Sequence, residues 1–151
     1  WYGVRNNFND TIGSDHAPHL KENKDKVYPN TPSGMPGVET SLPLMLTAMQ
    51  EGKCDLAQIQ KWMCSGPAAL YGIPNKGVIR EGFDADLTLV NLDVSKVVRD
   101  EEVFSKVKWS PFSGRALTGW PIYTIVGGNI VFDNGIVRDN VYGKALTYSS
   151  Q

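Results

Sequence analysis

The sequence predicts an α/β fold in two parts: a strand, a loop and helices over residues 1–75, then a β meander over residues 76–151. Residues 8–14 are predicted to form a short strand that reaches its C-terminal end at Ser14-Asp15, so that it ends beside a carboxylate. Residues 20–37 are polar and rich in proline and glycine, and a connection of this length is often functional. Asn134-Gly135 stands between apolar runs and is a strong hairpin signal.

Two helices are predicted after the polar loop. Thr40 or Ser41 can cap the first of them, and Gly52 ends it. This helix is apolar nearly all round, so we expect burial on more than one side. Asp55 and Gln58 have the spacing of a capping box at the start of the second helix.

The second part of the chain has the patterns of short strands. Alternating apolar and polar residues predict a strand over residues 85–89. Further β runs follow at residues 122–126, 130–132 and 136–137. Residues 93–110 are more polar, and their pattern favours no single element.

The bulk composition excludes two classes of partner. With 15 basic and 16 acidic residues, the chain has no electrostatic basis for binding nucleic acid or an anionic membrane surface. No apolar stretch approaches the roughly 20 residues that cross a bilayer. The first residues lack both a methionine and the pattern of a signal peptide, so we expect a longer protein. Cys54 and Cys64 lie outside any CxxC motif, which predicts reduced thiols and a cytoplasmic location.

Asp15 is the candidate catalytic residue and the candidate metal ligand. It stands at the end of the predicted strand. His16 and His19 follow it in the chain, and the small Ala17 and the rigid Pro18 lie between these two histidines. A carboxylate at the C-terminal end of such a strand can bind a divalent metal or transfer a proton. An aspartate there is also a common turn former, so this residue alone leaves both interpretations open. Zinc takes about four ligands, and the others must lie elsewhere.

Several motifs resemble the C-terminal part of a class I dihydroorotase, a cyclic amidohydrolase of the amidohydrolase superfamily. They cover residues 13–19, 32–40, 82–87, 110–114 and 119–121. The first two are specific, whereas residues 82–87 match a segment shared widely among cyclic amidohydrolases. The resemblance implies the C-terminal fragment of a (β/α)8 TIM-like barrel plus part of a small β-sandwich domain. Residues 8–15 would be the eighth barrel strand and residues 40–51 the helix after it.

The resemblance also implies a chemistry. The family reaction is the reversible conversion of L-dihydroorotate to N-carbamoyl-L-aspartate in pyrimidine biosynthesis. Asp15 matches the aspartate that binds the metal and passes a proton from the attacking hydroxide to the leaving nitrogen. His19 matches the histidine that binds the substrate carboxylate, and Ser33 and Gly34 match the loop whose backbone faces the pyrimidine ring. The implied cofactor is zinc, as one or two ions.

The remaining zinc ligands lie outside this chain. His16 and His19 are its two histidines, so it lacks the family's His-x-His pair, its carboxylated lysine and two further histidines. We therefore expect the fragment alone to be inactive. His16 is interpreted as structural, and Glu39 as a charge that interacts with the helix dipole.

Two other functions stay open. One is a sister cyclic amidohydrolase, such as a dihydropyrimidinase, hydantoinase or allantoinase. The other is a non-catalytic dihydroorotase-like partner of aspartate transcarbamoylase. The loop at residues 32–37 and His19 favour dihydroorotase. Beside a small-molecule substrate, the expected partners are the missing N-terminal part of the barrel and either a second copy of the chain or aspartate transcarbamoylase.

Overall fold

The computed structural model describes residues 1–6 and 8–149 of the 151-residue chain. The predicted second part, residues 76–151, therefore extends two residues beyond the described ones. Helices come first: α1 (Tyr2–Arg5), α2 (Lys21–Lys24), α3 (Val38–Gln50), α4 (Leu56–Gln60), a π-helical turn (Lys61–Ser65) and α5 (Gly66–Leu70). Strands follow: β1 (Leu87–Val97), β2 (Ala116–Val126), β3 (Asn129–Asp133) and β4 (Ile136–Val137), with a 3-10 turn at Asp100–Glu102. Among these helices, none is long and apolar enough to cross a membrane.

Residues 8–14 are not a strand in the structure, against the prediction. A strand is defined by hydrogen bonds to a neighbouring strand. Within the described ranges this segment has no such neighbour, and its link to the helices is a bond from the Ile12 N–H to the Trp62 carbonyl at 3.0 Å. Beyond it, His16 and Met35 form an isolated parallel bridge.

Helix α3 begins earlier than predicted, because its cap comes from a distant residue. Thr40 and Ser41, the predicted caps, lie inside its first turn, where both hydroxyls donate to the Gly37 carbonyl at 3.2 and 2.8 Å. The cap is the His16 imidazole, whose Nδ1 accepts the N–H groups of Gly37 and Val38 at 3.0 and 3.3 Å. A distant side chain thus satisfies donors that a local cap would normally satisfy.

Helix α4 begins at the predicted capping box. The Gln58 N–H donates to Asp55 Oδ1 at 2.8 Å, and the Asp55 N–H donates to Gln58 Oε1 at 3.0 Å. Ile59 and Trp62 are buried on the core side of this helical segment. The two cysteines, Cys54 and Cys64, are free thiols.

The four strands form one antiparallel meander in the order β1-β2-β3-β4. The turns Gly127-Gly128 and Asn134-Gly135 have positive φ at both central residues, as a type I′ hairpin requires. The turn at Asn134-Gly135 was predicted.

Strands β1 and β2 are longer than the predicted runs at residues 85–89 and 122–126. Their pairing shifts register twice, between Leu89 and Val90 and between Asn91 and Ser95. Such irregularities interrupt the two-residue alternation from which a strand is recognised. The pattern therefore revealed only one end of each strand.

The core lies where helix α3 packs against β2. Leu46 and Leu117 are 1% and 0% exposed. Gly119 has a φ of +91°, and a Cβ added there would lie 2.6 Å from the Leu46 Cβ, so glycine is required for this approach. Beside it, Thr47 Oγ1 accepts the Thr118 N–H at 2.8 Å and donates to the Pro43 carbonyl, one helical turn earlier, at 2.7 Å.

Candidate functional site

The predicted site residues lie on two adjacent segments, residues 14–19 and 32–37. The Ala17 N–H donates to the Met35 carbonyl at 3.1 Å and holds the two segments together. Gly34 has a φ of +104°, and a Cβ added there would lie 2.6 Å from the Ala17 Cβ. The glycine that was predicted to admit a ligand is thus already needed for the packing of the chain itself.

Asp15 is exposed, and its backbone has a φ of +45°. Aspartate is one of the few residues that tolerate this left-handed region, and such conformations are concentrated at functional sites. Its carboxylate makes no hydrogen bond or ion pair to any described residue, so it caps no helix here. The carboxylate is therefore free to accept a proton or to bind a metal ion.

His16 has a structural role, as predicted. Because its Nδ1 accepts the two N–H groups at the start of α3, a neutral imidazole must carry its proton on Nε2. These bonds tie residues 14–19 to the beginning of α3.

His19 is half-buried, and its backbone is fixed while its ring is free. The His19 carbonyl accepts the indole N–H of Trp109 at 2.8 Å. Within the described part of the chain, neither its imidazole nor the Ser33 hydroxyl makes a hydrogen bond, so both can meet a ligand. The substrate contacts predicted for His19, Ser33 and Gly34 stay predictions.

The loop at residues 99–110 packs against the start of α3. Glu39 lies in the first turn of that helix, as expected of a residue that interacts with the dipole. Its two carboxylate oxygens also accept the N–H groups of Phe104 and Ser105, at 2.8 and 2.7 Å. The cavity at this junction is only about 10 Å³, which is room for about one water molecule. The loop and the helix are thus closely packed.

The Asp100 side chain connects the two ends of this loop, residues 100 and 110, by a hydrogen bond. Its Oδ1 accepts the Ser110 N–H at 2.9 Å, and its Oδ2 lies 3.7 Å from Lys21 Nζ in α2. The bond from Ser110 lowers the pKa of the Asp100 carboxyl, and the Lys21 charge acts in the same direction. The carboxylate therefore stays ionised and holds the loop to the segment that follows His19.

Sequence reasoning missed Trp109 and Asp100. Both lie in residues 93–110, where no hydrophobic period indicates an element. The one signal was the neighbouring motif at residues 110–114, which marked the segment without assigning a role to either side chain.

A second charged cluster lies at the edge of the sheet. Lys76 Nζ pairs with Asp84 at 3.0 Å and with Asp86, while Asp86 Oδ1 accepts the Gly127 N–H at 2.7 Å. The hydrogen bond from Lys76 lowers the pKa of Asp86 and raises that of Lys76. Both acids belong to the motif at residues 82–87, so that motif has a structural use here.

A complete metal site is not formed by residues 1–6 and 8–149: no three His, Cys, Asp or Glu side chains are grouped to hold an ion. Zinc takes about four ligands. The free carboxylate of Asp15 fits one of these positions, and the rest of the described chain does not supply the others.

The chain matches the Amidohydrolase family over residues 3–131. It is 40% identical to the dihydroorotase of Methanosphaera stadtmanae over 130 residues, which are 85% of this chain and 30% of that protein. It is 37% identical to the L-hydantoinase of Paenarthrobacter aurescens over an alignment of 153 positions, which covers 97% of this chain and 33% of that protein.

Solved structures show the same relationship. The L-hydantoinase (dihydropyrimidinase) from Arthrobacter aurescens superposes with a TM-score of 0.90 at 38% identity, over 96% of this chain and 34% of that one. The dihydropyrimidinase from Brevibacillus agri gives a TM-score of 0.85 at 29% identity, over 91% and 31%. The chain thus spans about a third of the length of these relatives. Since sequence and fold agree over nearly all of its residues, it belongs to the amidohydrolase family.

Proposed function

We propose that this chain is the C-terminal third of a class I dihydroorotase, a cytoplasmic enzyme that interconverts L-dihydroorotate and N-carbamoyl-L-aspartate. Two curated dihydroorotases at 40% identity over 85% of the chain support this reaction. The observation that carries the proposal is the carboxylate of Asp15, which has no partner among the described residues and lies beside the loop that contains Ser33 and Gly34. All experiments below use the full-length protein that contains this chain.

The rest of the protein would complete a (β/α)8 barrel around residues 8–15 and a β-sandwich around the meander. The comparison with a solved structure supports this. The chain superposes over 96% of its length on 34% of the L-hydantoinase from Arthrobacter aurescens, so about two thirds of that structure has no counterpart here.

Zinc, as one or two ions, is the proposed cofactor, with Asp15 as one ligand and the other ligands outside this chain. When bound, zinc lowers the pKa of the water it holds from about 15.7 towards 7. Asp15 accepts the proton of the attacking hydroxide as its oxygen forms a bond to the carbonyl carbon of the ring amide. It then delivers that proton to the ring nitrogen, the carbon–nitrogen bond breaks, and the ring opens to the carboxylate product.

Substrate orientation is assigned to residues near Asp15. The free imidazole of His19 hydrogen-bonds the carboxylate of dihydroorotate. The backbone around Ser33 and Gly34 lies against the ring. These contacts hold the scissile amide near the carboxylate of Asp15.

Substitution of Asp15 tests the proposal. We expect Asp15→Ala in the full-length protein to lower kcat for dihydroorotate by at least about 10²- to 10⁴-fold, the contribution of a positioned proton-transfer group. The free energy of unfolding should fall by only about 1 kcal/mol, because alanine tolerates the φ of +45° less well than aspartate, while the carboxylate itself makes no contact within the described chain. Asp25→Ala is a matched control: this exposed carboxylate follows the same segment and also has no described partner. Activity of Asp15→Ala near that of the wild type would refute the assigned role.

L-hydantoinase is a second candidate, because the similarity to that enzyme covers 97% of the chain against 85% for the dihydroorotases. Parallel assays with dihydroorotate, hydantoin and allantoin separate the two. A preference for hydantoin would assign the chain to the sister group. If none of the three substrates is turned over, the remaining function is that of a non-catalytic partner of aspartate transcarbamoylase. A binding assay with that enzyme then tests this function. Gel filtration of the same samples tests association with a second copy.

A further inference from the structure

We propose that Trp109 is a positioning residue for substrate binding, which acts by holding the backbone of His19. The inference rests on the proposed function, in which the His19 imidazole binds the substrate carboxylate. It assigns a role in the site to the loop at residues 99–110, which lies between strands β1 and β2.

The contact joins residues that are 90 positions apart. Trp109 Nε1 donates to the His19 carbonyl at 2.8 Å, and both residues are half-buried. An indole N–H can only donate, and this carbonyl is its partner in the structure. The bond restrains the peptide that follows His19 and leaves the imidazole free. The tryptophan thus orients the histidine without competing for its ring nitrogens.

The loop that carries Trp109 is itself held in place. Glu39 anchors its centre through two backbone N–H groups, and Asp100 anchors its ends through Ser110. Lys108, directly before Trp109, has a φ of +49° and donates through Nζ to the Val103 carbonyl at 2.6 Å. An unfavourable backbone conformation persists only where surrounding contacts determine it. The direction of the indole is therefore fixed by the whole loop.

The expected kinetic effect is on substrate binding. A contact to the substrate carboxylate is remote from the scissile bond, so it stabilises ground state and transition state alike and appears in KM. Trp109→Phe removes the N–H and keeps the aromatic ring. We expect the KM for dihydroorotate to rise roughly 3- to 10-fold, as for the loss of one hydrogen bond, with little change in kcat.

Trp120→Phe is the matched control. Trp120 is also half-buried, and its Nε1 donates to a backbone carbonyl, that of Leu117, at 2.9 Å within β2. Trp120→Phe removes the same atoms as Trp109→Phe, but the indole of Trp120 donates to neither of the site segments, residues 14–19 and 32–37. The KM of Trp120→Phe should therefore equal that of the wild type. A merely structural role of Trp109 would make the two variants alike.

A double variant tests whether Trp109 acts through His19. In a His19→Ala background, Trp109→Phe should raise the KM no further, because the group it positions is gone. An unchanged KM in Trp109→Phe, an equal rise in Trp120→Phe, or additive effects with His19→Ala would each overturn the inference. A wild-type protein that does not turn over dihydroorotate overturns the proposed function and this inference together, whereas an active enzyme with an insensitive Trp109 overturns this inference alone.

Discussion

Asp15 and His16 are adjacent in the chain, yet their side chains have different tasks. His16 directs Nδ1 to the N–H groups of Gly37 and Val38, while the Asp15 carboxylate has no partner among the described residues. The structural role of His16 was predicted, but its reason lies in a contact that spans 21 residues. The candidate residues could be named from the local sequence, whereas their hydrogen bonds could not be, and the catalytic role of Asp15 stays a prediction.

At this scale, His19→Ala should weaken substrate binding. We expect the KM for dihydroorotate to rise about 10- to 100-fold, as for the loss of a hydrogen bond to a charged group, with a smaller change in kcat. His16→Ala gives the contrast: it removes the cap of α3 and should lower the free energy of unfolding by about 1 kcal/mol. Steady-state kinetics and thermal unfolding of both variants check this. An unchanged KM in His19→Ala would contradict the substrate role.

At the scale of elements, helix α3 and strand β2 fix one another. The capping box at Asp55 and the turn at Asn134-Gly135 were predictable, because each depends on residues next to one another in the chain. The start of α3 and the full lengths of β1 and β2 were not. They depend on the distant cap from His16 and on register shifts that no local pattern encodes.

Substitution of Gly119 tests the packing of these two elements. Gly119→Ala would place a Cβ 2.6 Å from that of Leu46 and strain a residue at φ +91°. Gly135→Ala is the control, since Gly135 has nearly the same φ, +93°, with no atom within 4 Å of the added Cβ. Both should lower the free energy of unfolding by about 1 kcal/mol through strain, and Gly119→Ala by about 1–3 kcal/mol more through overpacking. Equal losses in denaturant titrations would show that α3 and β2 do not meet as described.

At the scale of the whole molecule, contacts join the helical part to the meander at several points. Helix α3 packs on β2, and the loop at residues 99–110 contacts both residues 19–21 and the first turn of α3. The change from helical to β patterns predicted a boundary between residues 75 and 76, which stays a prediction. It contained no information on these links, because side chains distant in sequence make them.

The charged cluster at Lys76 predicts a pH dependence of stability. The folded protein lowers the pKa of Asp86 below its usual 3.8, so the cluster stabilises the fold above that pH and the contribution is lost as the pH falls below it. Asp86→Asn should cost about 1 kcal/mol at neutral pH, discounted because the carboxylate is partly exposed. The difference in melting temperature from the wild type should shrink below about pH 4. Asp93→Asn is the control: the Asp93 carboxylate has no described partner, so its difference in melting temperature should not change with pH. If the difference for Asp86→Asn also stayed constant with pH, an ion pair between Lys76 and Asp86 would be excluded.

The bond between the Trp109 indole and the His19 carbonyl has a practical consequence for protein engineering. A graft of residues 13–40 onto another scaffold would bring the carboxylate and both histidines but leave that carbonyl without its donor. Replacing the meander and its loop with those of another protein would also remove the donor to this carbonyl, and it would leave Leu46 without the strand that covers it. Transplanting the site therefore means transplanting residues 99–119 as well.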